Sequence, residues 1–132
     1  MRTVAIVYYG RHGPSRAYAQ ALENALRGAG NLAEQIQVRD AAANDVVFYD
    51  GLVLVGPPLF GRLHGLALAR ALAPERHSAV VVLGGNRPAE HYRKLFRPAE
   101  RPSISFFQEQ SHQDTSVVFS TVAPVLDWAR TL

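Results

Sequence analysis

Short apolar runs alternate along this sequence with longer segments in which apolar residues recur every three or four positions. Most of the apolar runs are rich in β-branched residues, which is the pattern of strands buried on both faces of a parallel sheet. The second run alternates apolar and polar residues, as a half-exposed strand does. The pattern predicts five strands, at Thr3–Tyr8, Glu34–Arg39, Leu52–Val55, Ala79–Leu83 and Ser103–Phe107. It also predicts a further short strand or hairpin partner at Val117–Phe119.

The segments between the strands have helical periodicity and residues that end helices. Ser15–Arg27 is predicted as a helix, with Gly13 or Ser15 at its N-terminal cap and Gly28 at its end. Only a short helix fits between the second and third strands. Further helices are predicted over residues 64–72, over residues 88–96, and from position 120 or 121 towards the last residue.

Strands that alternate with helices predict a parallel sheet with helices on both faces, because the connections between parallel strands are right-handed crossovers. We therefore expect one α/β domain spanning residues 1–132, a three-layer sandwich with a five-stranded sheet of order 2-1-3-4-5. In such a sheet, ligands bind beyond the carboxyl ends of the strands, where the strand order reverses. This rule points to the loops at residues 9–15, 56–63 and 84–91.

Composition excludes several kinds of chemistry. The 132 residues include no cysteine, which excludes disulfides, thiolate metal sites and cysteine nucleophiles, so any redox role requires a bound cofactor. The five histidines have no ligand spacing, and no Ser/His/Asp arrangement is apparent. We therefore predict no metal site and nominate no catalytic residue. No apolar stretch is long enough to span a membrane and no signal-like segment opens the chain, so we expect a cytoplasmic protein.

The chain is basic, with a net charge of +3, and all but one of its 14 basic residues are arginine. Arginine suits phosphate and carboxylate recognition, although a general bias towards arginine explains the same count. Basic and aromatic residues are not interleaved, so we do not expect a nucleic-acid partner.

The loop after the first strand, in "YYGRHGPSR", has the parts of an anion site. Gly10 and Gly13 let the backbone approach a ligand, a helix begins behind them, and Ser15 offers a hydroxyl. Arg11 and His12 add positive or switchable charge. The loop matches neither the Walker nor the dinucleotide fingerprint, so a single terminal phosphate is the expected ligand. A simple turn that caps the helix is the alternative.

The other two loops suggest contacts to a planar ring. In the second loop, Phe60 would cover a flat ring or fill the core beneath the loop, and Gly61 permits a peptide flip. In the third loop, bare backbone and the Asn86 amide would bond the polar edge of a heterocycle, or Asn86 would cap the following helix.

Five stretches of the chain resemble the flavodoxin-like FMN-binding family. "VYYGRHGPSRAYAQAL", with Arg11, Gly13, Ser15 and Arg16, is similar to the opening of the branch that contains menaquinone-dependent protoporphyrinogen oxidase. "YDGLVLVGPPLFGRLHG" and "SVVFSTVAPVLDWARTL" resemble the third strand with its flavin loop and the final strand and helix of that branch. "GGNRPAEHY" and "ISFFQEQSHQDT" also resemble the flavodoxin-like activators of manganese ribonucleotide reductase.

The resemblance implies a small redox protein that transfers electrons through one non-covalently bound FMN. It implies a phosphate site at residues 10–15, flanking contacts to the isoalloxazine from the second loop, and hydrogen bonds to its pyrimidine edge from the third. The implied cofactor-binding residues are Gly10, Arg11, His12, Gly13, Pro14, Ser15, Pro58, Leu59, Phe60, Gly61, Gly85, Asn86 and Arg87. The implied partner is a redox protein or a small-molecule electron acceptor, and a homodimer stays an open alternative.

A second hypothesis follows from three departures from the family pattern. Gly10 and His12 stand where the family prefers hydroxyl residues, and Pro14 removes a backbone N–H from the turn. The chain would then be a flavodoxin-fold binding or regulatory module that has lost FMN. Whether it is an oxidoreductase, an electron carrier or neither is left open by the sequence.

Overall fold

Five parallel strands form one sheet in the order β2-β1-β3-β4-β5 in the computed structural model. The structure describes residues 1–10, 13–59, 61–73, 75–109 and 119–132, with residues 43 and 44 described by backbone only. The strands are β1 Thr3–Tyr8, β2 Leu32–Gln37, β3 Gly51–Gly56, β4 His77–Leu83 and β5 Ile104–Glu109. The predicted order and the α/β class are confirmed.

The strand register aligns the carboxyl ends of the strands along one edge. Tyr8, the last residue of β1, lies opposite Gln37 of β2 and Val55 of β3. Leu83, the last residue of β4, lies opposite Glu109, the last of β5. The loops that follow β1, β3 and β4 therefore start from the same edge of the sheet.

The described residues form four α-helices and three 3-10 segments, which connect the strands except for the last helix, which follows β5. The α-helices are α1 Pro14–Gly28, α2 Ala43–Val46, α3 Leu66–Leu72 and α4 Val122–Ala129. The 3-10 segments are Val38–Asp40, Ala89–Leu95 and Arg101–Ser103. None of the described helices is long and apolar enough to cross a membrane.

The helix predicted over residues 88–96 is a 3-10 helix instead of an α-helix. Ala89, Tyr92 and Leu95 all pack into the same core cluster, at intervals of three residues. A 3-10 helix has three residues per turn, so it places these side chains on one side, whereas an α-helix would rotate them apart. Prolines at 88 and 98 bracket the segment and leave no room for further turns.

The second strand begins and ends two residues earlier than predicted. The ladder with β1 closes at the Tyr8–Gln37 pair, because β1 itself ends there, and Val38 opens a 3-10 turn. The extra strand predicted at 117–119 falls mostly outside the described residues, and Phe119 is a buried residue outside any strand.

The core has two layers, one on each face of the sheet. Along β1, Val4, Ile6 and Tyr8 face α1 and α4, whereas Ala5 and Val7 face α3 and the 89–95 segment. This alternation follows from the two-residue period of a strand, and burial on both faces explains why β1 is continuously apolar. The two layers place α1 on one face of the sheet and α3 on the other face.

Candidate functional site

The loops after β1, β3 and β4 are in contact at the carboxyl edge. The Tyr9 ring stacks on the His64 ring, with centroids 3.9 Å apart and an interplanar angle of 15°. A Cβ added to Gly85 would lie 2.7 Å from the Pro58 Cγ, so the second and third loops also touch. The three predicted loops therefore form one surface at the point where the strand order reverses.

The first loop turns through two glycines into the start of α1. Gly10 has a φ of 93° and Gly13 a φ of 92°, both in the left-handed region that glycine adopts without strain. Gly13 is the N-cap, and the first intrahelical bond joins the Ala17 N–H to its carbonyl at 3.1 Å. The backbone N–H groups of Ser15 and Arg16 precede that bond, so they stay available to an anion at the positive end of the helix dipole.

Ser15 lies inside the first turn of α1 and does not cap it, so its predicted alternative role as a cap is wrong. The residue is only 4% exposed, and no described residue hydrogen-bonds its hydroxyl. Pro14 occupies the first helical position, where its missing N–H costs the helix nothing. Arg11 and His12 lie outside the described residues, so their predicted roles stay predictions.

A buried network of hydrogen bonds supports α1 at Tyr18, one helical turn after Ser15. The Tyr18 hydroxyl lies 2.7 Å from the Thr121 Oγ1, which donates to the Glu109 Oε2 at 2.7 Å. The Thr121 backbone N–H also donates to this carboxylate oxygen, at 2.8 Å, and the Ser120 hydroxyl does so at 3.1 Å. Burial raises the pKa of Tyr18, which therefore stays neutral. This hydrogen-bond network connects the end of β5, the start of α4 and the first half of α1.

The second loop closes in a tight turn. Leu59 and Arg62 exchange backbone hydrogen bonds of 2.9 Å in both directions, and Gly61 between them has a φ of 74°. A Cβ at Gly61 would meet no described atom within 4 Å, so the space beside this residue is open. Phe60 is outside the described residues, and both interpretations of its ring stay open.

A cavity of about 380 Å³ lies between the second and third loops, and we call it the ring-binding cavity after the contacts predicted there. Five of the predicted cofactor contacts line it, joined by two residues outside that set: Pro58, Gly61, Gly85, Asn86, Arg87, His91 and Tyr92. Asn86 is exposed and does not cap the following 3-10 helix, whose N-cap is Pro88. Partial desolvation, aided by Lys94 and Arg87, lowers the pKa of His91.

Gln108, which the sequence analysis missed, holds the third loop from behind. Its Nε2 donates to the Gly84 carbonyl at 2.8 Å. Its Oε1 is buried and has no hydrogen-bond partner among the residues that the structure describes. An unpaired buried amide oxygen costs free energy, so Gln108 keeps an unused acceptor beside the third loop.

The described residues contain no group of three or more His, Asp or Glu side chains that could hold a metal ion.

The sheet order, the glycine turn before α1 and the loops at the switch point define a doubly wound α/β protein. No protein-family model matches the chain, and no curated protein does. Solved structures do: a two-electron reduced flavodoxin of Megasphaera elsdenii superposes with a TM-score of 0.70 at 17% identity, covering 98% of this chain and 99% of that one. An oxidised flavodoxin 2 of Bacillus cereus gives 0.67 at 14%, covering 97% and 95%.

A short-chain flavodoxin associated with a bacterial microcompartment also gives a TM-score of 0.67 at 14% identity, covering 100% of this chain and 97% of that one. The superpositions extend over whole chains, so they concern the complete sheet and its helices. The chain therefore has the flavodoxin-like fold, as the sequence predicted.

Proposed function

We propose that this chain binds one FMN non-covalently at the carboxyl edge of its sheet and takes part in electron transfer. The observation that carries the proposal is that the start of α1 and the cavity between the second and third loops lie beyond the same edge of the sheet. The first would accept an anion, and the second would take a planar ring. The solved flavodoxins of the same fold support the choice of cofactor.

The start of α1 would hold the phosphate. The N–H groups of Ser15 and Arg16, the Ser15 hydroxyl and the exposed backbone of Gly10 and Gly13 are donors or allow close approach. The first turn of α1 contains no acidic residue, so nothing in it repels an anion. Charge-assisted hydrogen bonds of this kind are the strong ones in proteins.

The cavity between the loops would hold the isoalloxazine. Its volume of 380 Å³ falls within the range of about 300–1,000 Å³ found for small-molecule pockets. Gly85 exposes backbone without a Cβ, and Asn86 supplies an amide with two donors and an acceptor for the polar edge of a ring. Arg87 places a positive charge at the same end of the cavity.

When bound, the flavin supplies the redox chemistry. The residues of this chain bind it, orient it and shield one side from water. No side-chain acid, base or nucleophile is required of them, so we assign no catalytic residue. The electron partner would be a protein or a small-molecule acceptor, and dimerisation would be compatible with the proposal.

A second candidate function is a cofactor-free binding module. Pro14 at the first position of α1 favours it, because the helix start has one N–H fewer to offer a phosphate. The two candidates predict different results with added flavin.

The visible spectrum and flavin fluorescence of the purified protein test the proposal. We expect a yellow protein, or a colourless one that quenches the fluorescence of added FMN. Replacing Ser15 by alanine should weaken FMN about tenfold, because a hydrogen bond to a charged group is lost. The free energy of unfolding of the variant, measured without flavin, shows whether the fold is intact. Added FMN that keeps its full free fluorescence with the wild-type protein would establish the second candidate instead.

A further inference from the structure

A second cavity lies at the carboxyl edge, on the β2 side of the Tyr9–His64 pair. It has a volume of about 320 Å³ and is lined by Tyr9, Gly10, Gln37, Val38, Arg39 and His64. We call it the Arg39 cavity. Gly10 is the one residue that it shares with the predicted FMN contacts, and the ring-binding cavity shares none. The Arg39 cavity is therefore largely separate from the proposed flavin site.

The wall of the Arg39 cavity is a fixed aromatic pair. The Tyr9 backbone N–H donates to the Val55 carbonyl at 3.0 Å, which anchors it to β3. His64 is held through its neighbour Gly65, which has a φ of 83° and leaves no room for a Cβ, since that atom would lie 2.9 Å from Leu54 Cδ2. The two stacked rings therefore present flat surfaces at a position set by the backbone.

Arginine side chains stand on both sides of this pair. Arg39 lines the Arg39 cavity, and Arg62 lines an adjoining cavity of about 540 Å³ that the same two rings also border. Within the described residues, the Arg39 guanidinium contacts only Asp40, at 3.8 Å, and both side chains are mostly exposed. An exposed pair of this length contributes little, so the guanidinium can exchange it for a better-placed anion.

Aromatic faces beside a guanidinium favour one class of ligand. Flat rings stack on Tyr and His, and the planar fork of arginine bonds carboxylate or sulfonate groups in a bidentate manner. Gln37 adds an amide at the rim of the cavity. We propose that the Arg39 cavity binds a planar aromatic anion, with its ring on the Tyr9–His64 pair and its charged group on Arg39.

The proposal does not depend on FMN, because the Arg39 cavity lies on the opposite side of the aromatic pair from the third loop. Naphthalene-2-sulfonate is a suitable probe, with uncharged 2-naphthalenemethanol as its analogue, in calorimetric titrations of the full chain. We expect the sulfonate to bind and the alcohol to bind at least about tenfold more weakly, since the alcohol lacks the charged contact.

Arg39→Gln should weaken the sulfonate about tenfold and leave the alcohol unchanged. Arg130→Gln is the matched control, because Arg130 forms a similarly exposed pair with Asp127 but follows α4, whose C-terminal end lies at the opposite edge of the sheet. Its affinity for the sulfonate should equal that of the wild-type chain. His64→Ala should weaken both probes by removing half of the aromatic wall.

Equal losses in Arg39→Gln and Arg130→Gln would overturn the proposal, because they would show non-specific attraction to a basic protein. Competition between the sulfonate and FMN would also overturn it, since the two would then share one site. Sulfonate binding without any flavin binding would support it while the proposed FMN function failed. Flavin binding without sulfonate binding would give the reverse outcome.

Discussion

Replacing Gly85 by alanine should disturb the ring-binding cavity, and the chain contains a matched control. Gly85 and Gly30 both have a φ of 87°, so alanine meets the same backbone strain at each position. The surroundings differ. A Cβ at Gly30 would meet nothing within 4 Å, whereas a Cβ at Gly85 would lie 2.7 Å from Cγ of the Pro58 ring. The comparison isolates the contact between the second and third loops.

The cost of backbone strain, which the two variants share, is small. Alanine in the left-handed region costs about 1–2 kcal/mol, and the lower entropy of its unfolded chain returns about 0.4–1 kcal/mol. Gly30→Ala should therefore lower the free energy of unfolding by about 1 kcal/mol. Gly85→Ala should lose a further ~1–3 kcal/mol, the usual cost of overpacking, because a proline ring cannot rotate out of the way.

Urea unfolding without flavin measures the stability of both variants, and titration of FMN fluorescence measures affinity. The overlap at Gly85 is relieved when the second and third loops separate, and this separation weakens their contacts to a bound ring. Each 1.4 kcal/mol of lost contact energy lowers the affinity for FMN about tenfold. Gly30→Ala should bind FMN like the wild-type chain. If the two variants match in both stability and affinity, the second and third loops are not in contact as described.

Three other predictions concern individual contacts. Glu109→Gln should cost about 2–4 kcal/mol in urea unfolding, because an amide NH₂ would face donors from Ser120 and Thr121; a loss below about 1 kcal/mol would contradict the buried network. The hydrogen bond to Glu34 is the main reason that the pKa of Tyr49 is raised to about 12. The contribution of this hydrogen bond to stability is complete below the usual tyrosine pKa of about 10 and is lost as the pH rises towards 12. Tyr49→Phe should therefore remove an ionisation near pH 12 from an absorbance titration. At neutral pH the same variant should lose less than about 1 kcal/mol, because the pair is solvent-screened; if the ionisation that disappears lies near the usual tyrosine pKa of about 10, this bond is contradicted.

The fold was predictable because its signals are local. Buried β3 is apolar along its whole length, β4 is apolar from Ala79 to Leu83, and Gly28 ends α1 where its periodicity ends. The right-handed crossover then leaves few sheet orders, and the switch-point rule selects the loops. The 3-10 helix at Ala89–Leu95 was missed because its short pattern fits both periods until the core beneath it is known.

The supporting residues of the site were not predictable in the same way. Glu109 and Tyr18 are separated by most of the chain, and nothing in the sequence around either indicates a hydrogen-bonded link through Thr121. Tyr9 and His64 look like ordinary loop residues until the parallel register brings the ends of β1 and β3 together. Tertiary proximity creates such pairs, so local spacing carries no signal for them.

The two halves of the proposed flavin site have separate supports. The phosphate half depends on α1. The buried hydrogen bonds that link Tyr18 through Thr121 to Glu109 hold this helix against the start of α4. The ring half depends on the contact between Gly85 and Pro58. Damage to the first should weaken FMN through its phosphate alone, leaving riboflavin affinity nearly unchanged. Damage to the second should weaken FMN and riboflavin together. If Glu109→Gln and Gly85→Ala affect the two flavins in the same proportion, the halves are coupled and the site acts as one unit.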